Sequence, residues 1–583
     1  MSRRRPAQAP AAVRALRSGG RLRSVVRVAA VSAAFLAMTP PRASVGNEDR
    51  VDPGTATEAS GPAIPGGYRS ASDEQQLDLL RIQIGVPRFA PAIRVPESAA
   101  TPSKPGGTLA PASAEPGAVS PPATEEKPGT KAPLPRRAQR HRPVSIPRSR
   151  EIEALRTQGV ERYAPAGPAP EPWPFDNREL RITERDLPPA GTVVDGASEE
   201  RWSHLLAPGL RWALRHGASM EIVDPKPIVM EPARATATER YHGQVRLAAD
   251  KRSLENYVAG IPFPIVNDDD PDAATRIIWN HQSRIIWDDL DLPKFGCTVG
   301  SLDTSGVRVE RDYRIGNFRR LFHVGRTVVD PKPTWATGDG LRYREMVDVI
   351  EPFEFKGGVL SYNRYEDSAR DDNAWLYLPL SRRVRRLSTA QRSEGVFGID
   401  IDLDSYYAFA GNPAWFEWKM LGKKTFLAPF HARHEPPRLC DKPGDFMFCD
   451  TWEPREMYVL SAKSLIPGYN FSRRILYVDA QSHLIPYNEV YDLDGQLWRT
   501  LVLQWKAGLR RSMPYSTKEH TYEDQTTFVG ALLVYDMQES HSTYCSFPAG
   551  DMAGEESAYY WRGSDGATTP EVFDISAIVA GAR

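Results

Sequence analysis

The run ILYVDAQSHLIPYNEVYDLDGQLWRTLVLQW, Ile475 to Trp505, holds three apolar segments with only turn residues between them. Asp479–Ser482 and Asp494-Gly495 are those turns. Strands joined this tightly pair antiparallel, because a parallel neighbour needs a crossover of a dozen residues or more. The pattern extends over much of the chain. Thr304–Tyr313, Tyr343–Ile350, Gly358–Tyr365, Ala374–Leu380, Trp415–Leu421 and Arg455–Ala462 read as further strands, with no helical pattern between them. Such spacing predicts a mainly β fold with some α (α+β), built on one large antiparallel meander.

Strands begin near residue 297, and a helical region precedes them over 149–295. SEERWSHLLAPGLRWALRHG is helical with a break at Pro208-Gly209. Asp270-Pro271-Asp272 opens another helix, with an Asp cap and Pro at the first helical position. Its segment RIIWNHQSRIIWDD returns Trp279 and Trp287 to nearly one face, as core packing does. A closing helix or strand lies around Gln525–Met537, and the tail from Gly550 gives a weak pattern.

Residues 1–43 read as an export signal: a basic stretch with Arg3, Arg4, Arg5, Arg14, Arg17, Arg21 and Arg23, the apolar run Val28–Met38, and a cleavage point after Ala43. That run falls short of the ~20 residues a bilayer span needs. No cysteine sits near Ala43 to carry a lipid anchor, so the expected location is the periplasm. Residues 44–148 form a Pro/Ala-rich disordered linker, too poor in apolar side chains to offset the entropy of ordering. A short helix interrupts it at 72–85, with Leu77, Leu80 and Ile84 on one face; it either docks or forms transiently. An oxidising compartment favours a disulfide between Cys440 and Cys449, which bracket a Pro-Gly turn; the pairing of Cys297 and Cys545 stays open.

DDNAWLYLPLSRRVRRLS, Asp371 to Ser388, reads as a hairpin. Alternation puts Arg382, Val384 and Arg386 on one face of its second arm, and Arg383, Arg385 and Leu387 on the other. One arginine pair lies in solvent; the other meets carboxylates or lines a wet cavity, since unpaired buried charge is costly. Asp371, Asp372 and Glu417 are candidate partners. Basic and acidic residues balance at 74 each and no other basic patch exists, which excludes nucleic acid as a partner. Asp400, Asp402 and Asp404 alternate at strand spacing and predict one acidic face, either solvated or paired with neighbouring arginines. His431, His434 and Glu435 are the best metal-like cluster, but Pro436-Pro437 follow at once and spacing fixes no further ligand; neither metal nor cofactor is expected. No nucleophile elbow, zincin motif, P-loop or dinucleotide fingerprint occurs in its proper context.

DDNAWLYLPLSRRVRRLSTAQRSEGVFGIDIDLDSYYAF resembles the signature of exported bacterial proteins grouped as domain of unknown function 1329. ENYVAGIPFP, TRIIWNH, EWKMLGKK and YDLDGQLWRTLVLQW add to it, over roughly residues 195–550. These proteins are similar to the outer-membrane lipoprotein-sorting carriers. The resemblance implies a curved antiparallel sheet or incomplete β-barrel, with helices packed in or across its concave face. It implies a periplasmic non-enzymatic carrier or chaperone for a hydrophobic or anionic lipid-like molecule, working with a resistance-nodulation-division exporter or the outer membrane. The long linker departs from the family pattern and suggests a tether. Trp375, Tyr377, Trp415, Trp418 and Tyr458 are the expected ligand-lining aromatics, and Arg383 and Arg385 the expected head-group contacts. The alternatives are an exported hydrolase using Asp400, Asp402 and His323 or His431, and an envelope scaffold docking through its linker.

Overall fold

The computed structural model describes residues 73–84, 186–228, 230–284, 288–327, 330–336, 339–434, 437–507, 527–547 and 568–581. The expected export signal, nearly all of the linker, residues 149–185 and Trp287 lie outside them. Helix α1 (Asp73–Ile84) is present where a short helix was expected. It docks: Leu77 and Leu80 are buried in the main core, and the Arg81 Nε donates to the Leu421 carbonyl.

The region before residue 289 alternates short elements rather than being purely helical. It runs β1 (Val193–Asp195), α2 (Pro208–Arg215), β2 (Ser219–Ile222), α3 (Pro232–Tyr241), β3 (Arg246–Leu247), β4 (Leu254–Glu255) and α4 (Ala273–Ser283). Pro208 sits in the first turn of α2, where its missing N–H costs nothing. Helix α4 starts later than the Asp-Pro-Asp signal implied. The Asp270 carboxylate accepts from the Asp272 N–H and the Arg276 Nε, and so closes a turn ahead of the helix.

Two meanders follow. The first is β5 (Asp289–Asp303), β6 (Gly306–Phe322), β7 (Leu341–Glu351), β8 (Val359–Tyr365), β9 (Asn373–Leu378) and β10 (Arg383–Leu387). The second is β11 (Phe416–Ala428), β12 (Thr451–Ser464), β13 (Arg473–Asp479), β14 (Tyr487–Tyr491), β15 (Leu497–Ala507), β16 (Thr527–Asp536) and β17 (His541–Ser546). Antiparallel pairing of β17 with β5 joins them into one 15-stranded sheet. Strands β2 and β12 contribute a parallel contact. The sheet is not closed into a barrel, and β10 ends its order on one side.

Alternation decides which face each residue takes. Phe318, Val347, Leu360 and Leu376 join the main core, while Leu321, Met346, Val359 and Tyr377 pack on the opposite face. That second face is covered by Phe573 and by Ile578 of α5 (Ile575–Gly581). The core face is covered by α4 and the connection 388–415, here termed the plug, while α2 packs on the other side of the second meander, against Thr500 and Tyr535. Gly209 lets α2 approach β15: a Cβ there would fall 1.9 Å from the Thr500 Oγ1.

Candidate functional site

The plug carries the three aspartates that sequence spacing assigned to a strand face. It is not a strand. Gly398 and Phe397 both adopt positive φ, which breaks the extended repeat, and Ile401 and Leu403 go into the core. Asp402 and Asp404 pair with arginines, one far along the chain and one within the plug. Asp402 meets Arg474 of β13 at 2.8 Å, and Asp404 meets Arg392 at 2.6 Å and the Tyr469 hydroxyl at 2.8 Å. Arg392 also reaches Asp372 at 2.7 Å, and Asp372 reaches Arg364 of β8 at 2.8 Å. All of these side chains are buried. Burial alone pushes the Asp404 carboxyl up, but Arg392 and Arg474 outweigh it and hold the group below its ordinary value. A clasp of ion pairs thus ties the plug to both meanders.

Under the plug, at the seam between the meanders, lies an apolar cavity of about 70 Å³. Leu292, Phe295, Phe318 and Val347 come from the first meander, and Leu503 and Leu532 from the second. Phe397, Ile399, Ile401, Tyr406 and Tyr407 of the plug close it from above. Cys297 and Cys545 face each other in register across the seam, are disulfide-bonded and line the same cavity. Cys440 and Cys449 form the second disulfide.

A second, more polar cavity of about 40 Å³ is lined by His281, Gln282 and Arg284 of the α4 end, Arg320, Tyr343, Tyr407 and others. Tyr407 belongs to both walls. The His281 Nδ1–H donates to the His483 carbonyl at 2.9 Å, and burial lowers the pKa of His281 to about 4 and that of His483 to about 3. Both imidazoles are therefore neutral at pH 7. On the far side of the plug region, burial raises the Glu489 carboxyl to about 7 against hydrogen bonds from the Gly209 N–H and the Tyr477 and Tyr491 hydroxyls.

The family described as "Protein of unknown function (DUF1329)" matches residues 193–561. The chain belongs to that family. An uncharacterized protein of Pseudomonas aeruginosa is 25% identical over 309 residues, which are 51% of this chain and 63% of that relative's length. Among solved structures, a putative outer membrane lipoprotein-sorting protein domain from Vibrio parahaemolyticus is similar at TM-score 0.33 and 12% identity, over 52% of this chain and 97% of that one. A DUF1329 family protein from Desulfovibrio piger stands at TM-score 0.31 and 14% identity, over 50% and 92%. A LolA superfamily protein from Nitrosomonas europaea stands at 0.28 and 13%, over 47% and 90%.

In this DUF1329 chain the expected ligand residues are dispersed, and none of the seven lines either cavity. Tyr377 packs on the face opposite the plug, against α5, and Trp375 of the same strand parity is half-buried. Trp415 is gripped between Arg364 and Arg392 of the clasp, and its Nε1 donates to the Ser368 carbonyl. The Trp418 Nε1 donates to the Pro413 carbonyl. Tyr458 is buried beneath the Lys423 ammonium at 4.9 Å. The hairpin forms as expected, with Arg383 opposite Leu378 and Arg385 opposite Leu376. Both arginines therefore project to the sheet face that carries the plug, at its edge; Arg383 is exposed and Arg385 half-buried. Asp372 serves the clasp rather than the hairpin, while Asp371 and Glu417 are exposed.

The hydrolase candidates do not converge. Asp400 bonds the His541 Nδ1 at 2.7 Å, His323 is fully buried, and His431 bonds Glu453 at 3.0 Å. The Thr543 hydroxyl donates to the Asp400 carboxylate and not to the imidazole, so it is not poised as a nucleophile. His434 bonds Asp450, and Glu435 lies outside the described residues. Sequence reasoning missed Arg284, Arg320 and Tyr407. The signal for Arg284 was present: a polar run, His281 to Arg284, directly after the apolar Ile277–Trp279 of one helix.

Proposed function

We propose that the chain is a periplasmic, non-enzymatic carrier or chaperone for a hydrophobic molecule. The observation that supports this best is the apolar cavity at the seam, covered by a segment that belongs to neither meander. Ligand pockets usually measure roughly 300–1,000 Å³. The cavity of about 70 Å³ is then a closed state, and cargo enters by displacing plug side chains. Two disulfides fit an oxidising compartment. Among the described residues no helix is long and apolar enough to cross a membrane. The family resemblance supports a resistance-nodulation-division exporter or the outer membrane as the partner. Arg383 and Arg385, on the plug side of the sheet edge, are placed to draw an anionic surface or head group toward that side.

Binding of the fluorescent apolar probe N-phenyl-1-naphthylamine tests the reading. The full chain takes up the probe, and Val529→Trp, which fills the cavity wall, lowers affinity roughly tenfold, about 1.4 kcal/mol. Unchanged uptake by a folded Val529→Trp variant counts against it.

A further inference from the structure

The polar cavity contains one charge that no carboxylate of the described residues touches. Arg320 is ion-paired with Glu345, and its guanidinium also lies 4.6 Å over the Tyr407 ring. Arg284 has no such arrangement. Its guanidinium makes no hydrogen bond or ion pair with any described residue, yet the side chain lines the cavity. It is half-buried, and enclosed enough that burial lowers its pKa to about 10; the like charge of Arg234 adds to the effect, and the carboxylates of Asp479 and Glu231, neither of them in contact, offset it only in part. The nearby imidazoles of His281 and His483 are neutral or cationic and so supply no negative charge to it. A partly desolvated guanidinium with no carboxylate in contact is a costly arrangement that a bound anion relieves. Its planar fork suits a carboxylate or phosphate, which it can grip through two parallel N–H groups.

The neighbouring cavity says what kind of anion. Phe318 and Arg320 lie two residues apart on β6 and so project from one face, into the apolar and polar cavities respectively. Tyr407 stacks against both, edge-on to Phe318 at 6.0 Å. Tyr407 and Ala408 both hold positive φ, 52° and 69°. Backbone held in that region by side-chain contacts is strained, and side chains other than glycine rarely occupy it without a functional constraint. The wall between the apolar chamber and the Arg284 cation is thus a strained part of the plug.

We propose that Arg284 receives the anionic head of a single-chain amphiphile whose tail occupies the apolar cavity, with Tyr407 at the passage between them. This rests on the carrier reading and specifies its cargo. The two chambers measure about 40 and 70 Å³ before the plug moves, so cargo enters only as the plug opens, and a single chain needs the smaller opening.

Equilibrium dialysis of the full chain, both disulfides formed, against hexadecanoate, hexadecan-1-ol and inorganic phosphate tests it. Wild type binds the acid roughly tenfold or more tightly than the alcohol, as a charge-assisted hydrogen bond supplies. Arg284→Gln brings the acid down to the affinity of the alcohol and leaves the alcohol unchanged. The variant melts at or above the wild-type temperature, because an unanswered buried charge has been removed. Equal binding of acid and alcohol by both proteins overturns the role of Arg284 and leaves the carrier reading standing. Binding of neither amphiphile overturns the carrier reading and this inference with it. Arg284-dependent binding of phosphate, with acid and alcohol bound equally, assigns the site to a free anion and overturns it. A marked loss of stability in Arg284→Gln gives the residue a structural role instead and also overturns it.

Discussion

Asp404 shows how much one residue of the plug carries. Its carboxylate touches Arg392 and Tyr469 and lies in the field of Arg474, all without solvent. Asp404→Asn leaves buried guanidinium charge partly unanswered, so unfolding in urea is expected to show a loss of about 3–5 kcal/mol. Asp400→Asn, whose partner His541 is half-buried, is expected to cost much less. Comparable losses at both positions would contradict the clasp. Glu489 gives a pH test. Its folded pKa, about 7, lies above its unfolded value, so its contribution to stability is fully present below about 4.5 and is lost as pH rises through 7. His281 and His483 act in the opposite sense. Their folded values lie below the unfolded 6.5, so their contribution is present above 6.5 and is lost as pH falls through about 4. Glu489→Gln removes only the first effect. The melting temperature of the variant relative to wild type is expected to be more favourable at pH 8 than at pH 5. The same difference at both pH values would show that Glu489 does not titrate as its burial demands. Pairing of the acidic run with nearby arginines was one of the two readings the sequence offered, and Arg392 meets Asp404 across twelve residues; Arg474 was not legible, because β13 comes beside the plug only once the sheet has formed.

At the level of elements, alternation made the strands readable and the plug unreadable. GVFGIDIDLDS alternates apolar and acidic residues as a half-buried strand does. What sets it apart is long-range: β10 and β11 are not neighbours in the sheet, so the stretch between them has no strand to pair with and crosses the core face instead. The arginine hairpin finds its explanation here. Strand β10 ends the sheet order, and charged side chains on an edge strand prevent another chain from adding to it. Replacing Arg383 and Arg386 with Val is expected to leave the melting temperature nearly unchanged but to promote self-association, seen as a concentration-dependent rise in light scattering. A variant that stays monodisperse would remove that role. The seam is the other element of consequence. Cys297 and Cys545 are 248 residues apart in sequence and staple β5 to β17. Replacing both with Ser is expected to cost roughly 2–5 kcal/mol in denaturant unfolding and to weaken apolar probe binding, since the disulfide lines the cavity. Loss of stability without any change in binding would separate the staple from the site. The sequence left this pairing open because no local spacing links two cysteines in opposite meanders.

For the whole molecule, the features act together: an open sheet of two meanders, a plug clasped by buried ion pairs, and an apolar chamber at the seam. The class of fold followed from the sequence because short turns leave antiparallel neighbours as the only compact solution. The site did not, because it is made where strands from both meanders meet beneath a non-strand segment. A chamber of this kind has a direct consequence for the isolated protein: cargo taken up during expression stays with it. Native mass spectrometry of the purified full chain is the most direct measurement. The account predicts a fraction carrying one additional mass, identified after organic extraction as an acidic single-chain amphiphile, and lost in the Val529→Trp variant. A single mass equal to that of the polypeptide, in protein that also fails to bind added hexadecanoate, would contradict it.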